Sequence, residues 1–236
     1  MTTQRTGDVN IAAVGSLLGD RARVAMLTRV LARPDSPAGE LARCAGIAPS
    51  TAASHLRKLV DAGLLSVTRR GRLRLYRLTS VEVAHAIESL AVLAPAIPVT
   101  SFRQSRDSGA LRAARSCYDH LAGRLGVTLH DELLRQRMIR RTSEQDYDIT
   151  RKGFDLLSGF DVDVESLRST RRVLARACLD WSERTPHLAG ALGAALLEQF
   201  LDRRWVERSS ENRNLRVTAA GRRGLRSWFR FDPVQD

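Results

Sequence analysis

Two groups of residues have the types and spacing to do chemistry. The first is Cys117, His120, Cys178 and His187. Two thiolate sulfurs and two imidazole nitrogens suit a tetrahedral, thiophilic ion such as zinc. Cys117 and His120 are three positions apart, a spacing that on one helix aims both side chains at one spot. Cys178 and His187 flank a short segment, WSERTP, at residues 181–186. The same residues admit three other readings: a small-molecule or haem sensor, a thiol redox pair, or a buried thiol and packing imidazole retained for structure. Asp119 and Asp180 are expected to be helix-terminal or supporting groups rather than ligands. Trp181, inside the short segment, is a candidate for lining a small-molecule pocket, whereas Trp205 and Trp228 suit a core.

The second group is basic and lies within residues 48–77, APSTAASHLRKLVDAGLLSVTRRGRLRLYR. Ala52, Leu56, Leu59 and Val60 recur at helical spacing and define an inner stripe. The other side carries Ser50, Thr51, Ser54, Arg57 and Lys58. Short hydroxyls near a helix start reach base edges and phosphates, and the basic pair reaches the backbone. His55 adds a phosphate contact or a packing group. Two alternating runs, 64–68 and 73–78, predict strands joined by an arginine-loaded tip at Gly71. Arg72 and Arg74 are expected on one strand face, with Arg69 and Arg70 at the tip. A groove-sized helix followed by a basic hairpin predicts a winged helix-turn-helix that binds double-stranded DNA.

The preceding residues must hold that helix. Residues 9–18 predict a first helix, broken at Gly19. Asp20 is placed to cap a second, through about Ala32, with Val24, Leu27, Val30 and Leu31 inward. Residues 34–37 read as a loop. A third helix starts at Ser36 or Pro37, turns Leu41 and Ala45 inward and ends at Gly46. Residues 47–50 form the turn, and Pro49 suits a helix start because its missing N–H is not needed there. Residues 81–93 predict a further helix. Pro95, Pro98 and the polar run 101–109 predict a linker. The order LGDRARVAML, ELARCAGIAPSTAASHLRKLVDAGLL, RRGRLRLYRL resembles the ArsR family of bacterial repressors over about residues 9–93. The resemblance implies a small dimeric winged helix whose first and last helices form the dimer interface. Two departures stand out. The Cys-x-Cys of the metal-sensing members is absent, with only Cys44 in that helix. The histidine common in the recognition helix is shifted, Ser54 taking its place beside His55.

The second half of the sequence repeats itself. Residues 114–119, ARSCYD, match 175–180, ARACLD; 120–126, HLAGRLG, match 187–193, HLAGALG; and 147–153 match 215–221 in a strand ending T-x-x-G. Tyr76-Arg77-Leu78-Thr79 echoes the same strand ending. The expected organisation is a DNA-binding domain over 1–95, a linker over 96–109, and two degenerate winged-helix-like repeats, about 110–160 and 165–230. The fold class is mainly α with small β-hairpin wings (α+β). Glu198 stands where Arg57 would be, and a carboxylate there repels phosphate, so this half suits sensing and dimerisation.

Composition fits this reading. The 236 residues carry a formal charge of +12, with 43% hydrophobic residues. An excess of cations points to a polyanionic partner. Nearly all the cations are arginines, since only Lys58 and Lys152 are lysines. Arginine bias also follows genome composition, so placement matters more than the sum. No run of eighteen uncharged apolar residues exists, and MTTQRTGDVN lacks a signal-peptide core. With three cysteines and no disulfide framework, the expected setting is a reduced cytoplasm. The expected function is a sequence-specific, homodimeric transcriptional regulator, a repressor, whose operator binding is modulated by a metal or small-molecule effector at the C-terminal half. The alternatives are a sequence-indifferent architectural DNA-binding protein and a thiol redox-responsive regulator. No oriented triad, phosphate-cradling glycine loop or paired acids point to an enzyme.

Overall fold

The computed structural model describes residues 8–95, 98, 100–209 and 212–233. The chain divides into two compact units, Met1–Ala84 and His85–Asp236. The first holds α1 (Ile11–Leu18), α2 (Arg21–Ala32), β1 (Ser36–Pro37), α3 (Ala38–Ala45), α4 (Pro49–Asp61), β2 (Leu65–Arg70) and β3 (Leu73–Leu78). Asp20 caps α2 by accepting from the Arg23 amide at 2.9 Å, a contact that satisfies one unpaired helix-start N–H. Gly46 ends α3 in the left-handed region at φ 66°. Three residues later α4 begins at Pro49. The core gathers Met26, Leu27, Val30, Leu31, Leu41, Leu56, Leu59, Leu65, Tyr76 and Leu78.

Three expectations in this unit are corrected. Val24 is 38% exposed and Met26 takes the inward place, because the buried face of α2, set by Met26, Leu27, Val30 and Leu31, is centred about a quarter turn from Val24. Ala42, not Ala45, joins Leu41 in the core. Residues 36–37 are a short strand, not loop: Ser36 pairs with Tyr76 and Pro37 with Leu75, giving a three-stranded antiparallel sheet of order β1-β3-β2.

The division between the units falls inside α5 (Val81–Leu93), between Ala84 and His85, and not in the linker expected at 96–109. Residues 102–109 are instead part of a helix, α6 (Phe102–Ala113). The second unit continues with β4 (Arg115–Cys117), β5 (His120–Ala122), α7 (Gly123–Arg135), β6 (Ile139–Arg141), β7 (Asp146–Ile149) and α8 (Arg151–Gly159). The order then recurs as α9 (Val164–Ser169), β8 (Ala175–Leu179), β9 (Pro186–Ala189), α10 (Gly190–Asp202), β10 (Val206–Arg208), β11 (Leu215–Val217) and α11 (Ala219–Gly224), which runs on as a π-turn through Leu225–Phe229. Each repeat is therefore helix, hairpin, helix, hairpin, helix.

The kinship of the repeats with the first unit is visible atom by atom. Helices α4, α7 and α10 each have thirteen residues and each leads into a hairpin. After them Gly63, Arg137 and Arg204 all take positive φ. The carbonyls of those residues accept from the hydroxyls of Thr79 (2.6 Å), Thr150 (2.7 Å) and Thr218 (2.8 Å). What differs is the element before the long helix. In the first unit it is helix α3; in the repeats it is a β-hairpin, so the wing is kept and the helix-turn-helix is not.

The two repeats embrace crosswise. Helix α7 packs on β9 and α10 on β5. The glycine closing each H-L-A-G-x-L-G motif makes this possible. A Cβ on Gly126 would lie 2.5 Å from the Leu121 carbonyl oxygen and 3.5 Å from His187 Cβ; on Gly193 it would lie 2.5 Å from the Leu188 carbonyl oxygen and 3.2 Å from His120 Cβ. Strand β7 of one repeat pairs with β8 of the other at Asp146 and Arg176, and the counterpart bridge joins Asn214 to Arg115. This is a pseudo-twofold arrangement inside one chain.

Candidate functional site

The basic face is built on α4 and the β2–β3 wing. Ser50, Thr51, Ser54, Arg57 and Lys58 are all exposed along one side of α4, while Ala52, Leu56 and Leu59 are buried on the other. No side chain caps the helix start, where Ala48 is the cap residue. The first amides of α4 thus point to solvent at the positive end of the helix dipole, a setting that favours an anion. His55 departs from this face. Its ring turns inward, with Nδ1 3.3 Å from Arg23 Nη1 and 3.8 Å from Asp20 Oδ1, so it braces α4 against the start of α2, the packing alternative of the two expected for it.

The wing turns at Gly71 and Arg72, with Gly71 at φ 59°, as a two-residue hairpin favours. The register sets Arg69 directly opposite Arg74 and Arg70 opposite Leu73. Arg69 and Arg74 therefore share a face, and Arg72 sits in the turn. This differs from the expected Arg72–Arg74 pairing because the strands run to the tip. Like charges directly opposite in a ladder cost stability. Arg57, Lys58, Arg69, Arg70, Arg72 and Arg74 make no ion pair among the described residues, whereas nearby Arg77 is held by Asp35. At the positions matching Arg57 and Lys58, α7 has Asp131 and Glu132, and α10 has Glu198 and Gln199. Neither repeat keeps the basic face.

The second cluster lies in the second unit. Cys117, His120, Cys178 and His187 converge there, their ligand atoms within 4.8 Å of one another. The expected helix carrying Cys117 and His120 is absent. Tyr118 takes positive φ (59°) and reverses the chain, placing Cys117 and His120 opposite each other across the β4–β5 hairpin. Cys178 and His187 face each other in the same way across β8–β9. Cys117, His120 and His187 are buried, and Cys178 is half-buried. The sulfurs are 3.9 Å apart and the two Nε2 atoms 3.2 Å apart.

Two carboxylates orient the imidazoles. Asp119 Oδ1 lies 3.0 Å from His120 Nδ1, and Asp180 Oδ2 lies 3.1 Å from His187 Nδ1, off the line of a well-aligned hydrogen bond. Each carboxylate is itself held. Arg172 Nη1 donates to Asp119 at 2.6 Å. Asp180 accepts from Arg115 Nη2 at 2.8 Å, Ser182 Oγ at 2.7 Å and the Gly123 amide at 2.7 Å. Burial raises both carboxyls, but these donors outweigh it: Asp119 falls to about 2, and Asp180 is held well below the usual carboxylate range. Both are ionised supports, not helix-terminal groups. The contact from Cys178 and then burial push Cys117 up, while the Cys117 contact, opposed by burial, brings Cys178 down with help from both imidazoles.

Sequence reasoning passed over Arg115, Arg172 and His85. Arg115 stands in the repeated A-R-x-C-x-D motif, and that recurrence was the available signal. His85 lies edge-on to His120, ring centroids 6.2 Å apart, and burial holds it below the ordinary histidine value. The Trp181 ring is covered by the Arg115 guanidinium at 4.5 Å, and Trp181 is not among the residues lining a cleft of about 610 Å³ elsewhere in the unit, beside Ala110, Leu125, Arg208, Leu215 and Arg216. Trp205 is buried in the core.

The chain is similar to several known proteins. A family model described as a helix-turn-helix domain matches residues 18–68. An uncharacterized HTH-type transcriptional regulator of Bacillus subtilis, YdfF, is 42% identical over 213 residues, 90% of this chain and 94% of its own. Among solved structures, the homodimeric winged helix-turn-helix domain Mb0332 of Mycobacterium bovis, a possible ArsR-family regulator, is 25% identical, covering 37% of this chain and 88% of its own with a TM-score of 0.33. The cadmium sensor CMTR of Mycobacterium tuberculosis is 28% identical, covering 39% and 99% with a TM-score of 0.31.

Proposed function

This chain belongs to the helix-turn-helix transcriptional regulators, and from that premise we propose that it is a homodimeric repressor binding a palindromic operator. In this reading two copies of α4 enter successive major grooves, while the β2–β3 tips reach flanking phosphates or the minor groove. Ser50, Thr51 and Ser54 face base edges, and Arg57, Lys58 and the wing arginines neutralise phosphate. The observation that carries the reading is the row of cations on α4 and the wing, all exposed and none ion-paired among the described residues. The opposed Arg69 and Arg74 favour a polyanion to relieve their repulsion. The repressor role rests on the resemblance to the ArsR repressors. The second unit is assigned the effector, which acts only by binding the DNA-competent and released states unequally.

The test is selection of an operator from random duplexes, followed by competition against unselected DNA across a salt series. The expected slope of log K against log salt is about −0.9 per neutralised phosphate. Arg57→Ala weakens operator binding several-fold and lowers that slope by roughly one. Equal affinity for selected and random DNA at physiological salt would leave a sequence-indifferent binder and end the operator reading.

A further inference from the structure

We infer that Cys117, His120, Cys178 and His187 hold a single thiophilic divalent ion, zinc or a close chemical relative, in a tetrahedral centre shared equally by the two repeats. Geometry leads the argument. With metal–sulfur bonds of about 2.3 Å and metal–nitrogen bonds of about 2.05 Å, a tetrahedron has sulfur–sulfur and nitrogen–nitrogen edges of about 3.8 Å and 3.3 Å. The structure has 3.9 Å and 3.2 Å. The widest separation in the set, at most 4.8 Å, needs to close by about 1 Å to complete that figure. A disulfide needs the two sulfurs at about 2.05 Å, and these are nearly twice as far apart.

The imidazole orientation points the same way. A carboxylate only accepts, so the His120 Nδ1 that faces Asp119 carries the proton. Asp180 Oδ2, 3.1 Å from His187 Nδ1, favours a proton there through its charge and not through an aligned hydrogen bond. Both Nε2 atoms then present bare lone pairs to each other across 3.2 Å. Two such lone pairs, each backed by a carboxylate on the far side of its ring, are the arrangement of metal-bound histidines. A proton between them would serve two of the four ligand atoms; a metal ion serves all four.

Charge completes the case. Asp119 is matched by Arg172, and Asp180 by Arg115, the latter pair fully buried. The carboxylates are thus already compensated, and the ligand set must balance alone. Two thiolates and two neutral imidazoles around a divalent ion sum to zero, the state that a buried site favours. Each repeat supplies one sulfur and one nitrogen from facing strands of one hairpin. The counterpart glycines, Gly126 and Gly193, press against the opposite repeat's histidine. The ion therefore lies on the pseudo-twofold axis and clamps the two copies together.

The inference stands apart from DNA binding and is tested without DNA. The full chain, purified under reducing conditions without chelator, is expected to carry about one zinc per chain by elemental analysis. After chelator treatment, cobalt(II) added anaerobically should give tetrahedral ligand-field bands with thiolate-to-cobalt charge transfer, saturating at one equivalent. Cys44→Ser, in the first unit and outside the ligand set, keeps this spectrum; Cys117→Ser and Cys178→Ser lose the charge transfer in proportion to the missing sulfur. Asp119→Asn keeps the spectrum and weakens cobalt binding by about 10–100-fold. The unmodified chain needs no variant to report: zinc should shield two of its three thiols from alkylation, reversed by chelator. The inference is overturned if cobalt gives no thiolate charge transfer in the reduced chain. It is equally overturned if both cysteine variants bind metal as before, or if the shielded thiols prove to be a disulfide released only by reductant.

Discussion

At the scale of single residues, burial decides what a charged or basic group can do. His130 in α7 is buried beneath Tyr147, ring centroids 5.1 Å apart, and among the described residues neither ring nitrogen has a well-formed hydrogen bond, Asp131 Oδ1 lying 3.6 Å from Nδ1. Burial, reinforced by His187 and Arg141, lowers its pKa to about 4 from 6.5. The folded chain therefore keeps His130 neutral where an unfolded chain would protonate it. Its contribution is fully present above pH 6.5 and is lost as the pH falls through about 4, a change of up to about 3 kcal/mol. Urea unfolding of the native chain and His130→Phe in parallel, from about pH 7.5 to pH 4.5, should show a shallower loss in the variant. Equal losses would place the acid sensitivity elsewhere. The residue types at the Cys/His cluster were readable from the sequence because they recur. Their supports were not, since Arg115 reaches Asp180 across 65 positions and Arg172 reaches Asp119 across 53.

At the scale of elements, what could be read depended on how locally each element is determined. The α4 helix and its wing carry their own signals: an apolar stripe, a proline at the start and a glycine at the turn. The β4–β5 hairpin carries none of comparable strength. Cys117 and His120 suit a helix as well as a two-residue hairpin. What settles the matter is distant, namely the bridge to Asn214 and the packing of α10 on β5. Strand β1 has two residues and exists only through its pairing with β3. The T-x-x-G motifs, seen as a strand ending, prove to be an anchor. Thr218 caps α11 by accepting from the Gly221 amide, and a Cβ on Gly221 would lie 2.1 Å from the Trp205 carbonyl oxygen. Gly221→Ala should cost about 1–3 kcal/mol or more through overpacking, read as a lower melting temperature. Gly109→Ala, in α6 with open space around it, should be neutral or stabilising by about 0.5–1 kcal/mol. Similar melting temperatures for the two variants would refute the anchor.

At the scale of the whole molecule, the described residues contain no helix long and apolar enough to cross a membrane. They do leave apolar surface uncovered on the first unit. Helix α1 has no buried residue, and Ile11 and Val14 are 75% and 40% exposed. In the proposed dimer this face meets its copy. Light scattering should give the mass of two chains, and Ile11→Glu combined with Val14→Glu should shift it toward one while weakening operator binding. A stable dimer in that variant would move the interface elsewhere. The boundary between units escaped sequence reading for a physical reason. Prolines and polar residues mark a break in composition at 95–109, but α5 runs unbroken through the point where contacts divide.

The crosswise embrace of the repeats has a consequence for assembly. One repeat alone is a bidentate half-centre, with one sulfur and one nitrogen, and two such halves are needed to close a tetrahedron. Were they on separate molecules, closure would depend on how much protein is present. Tethered in one chain, the second half arrives at an effective concentration fixed by the connection, whatever the abundance of the protein. The duplication thus makes coordination a property of each molecule, independent of how many copies the cell makes.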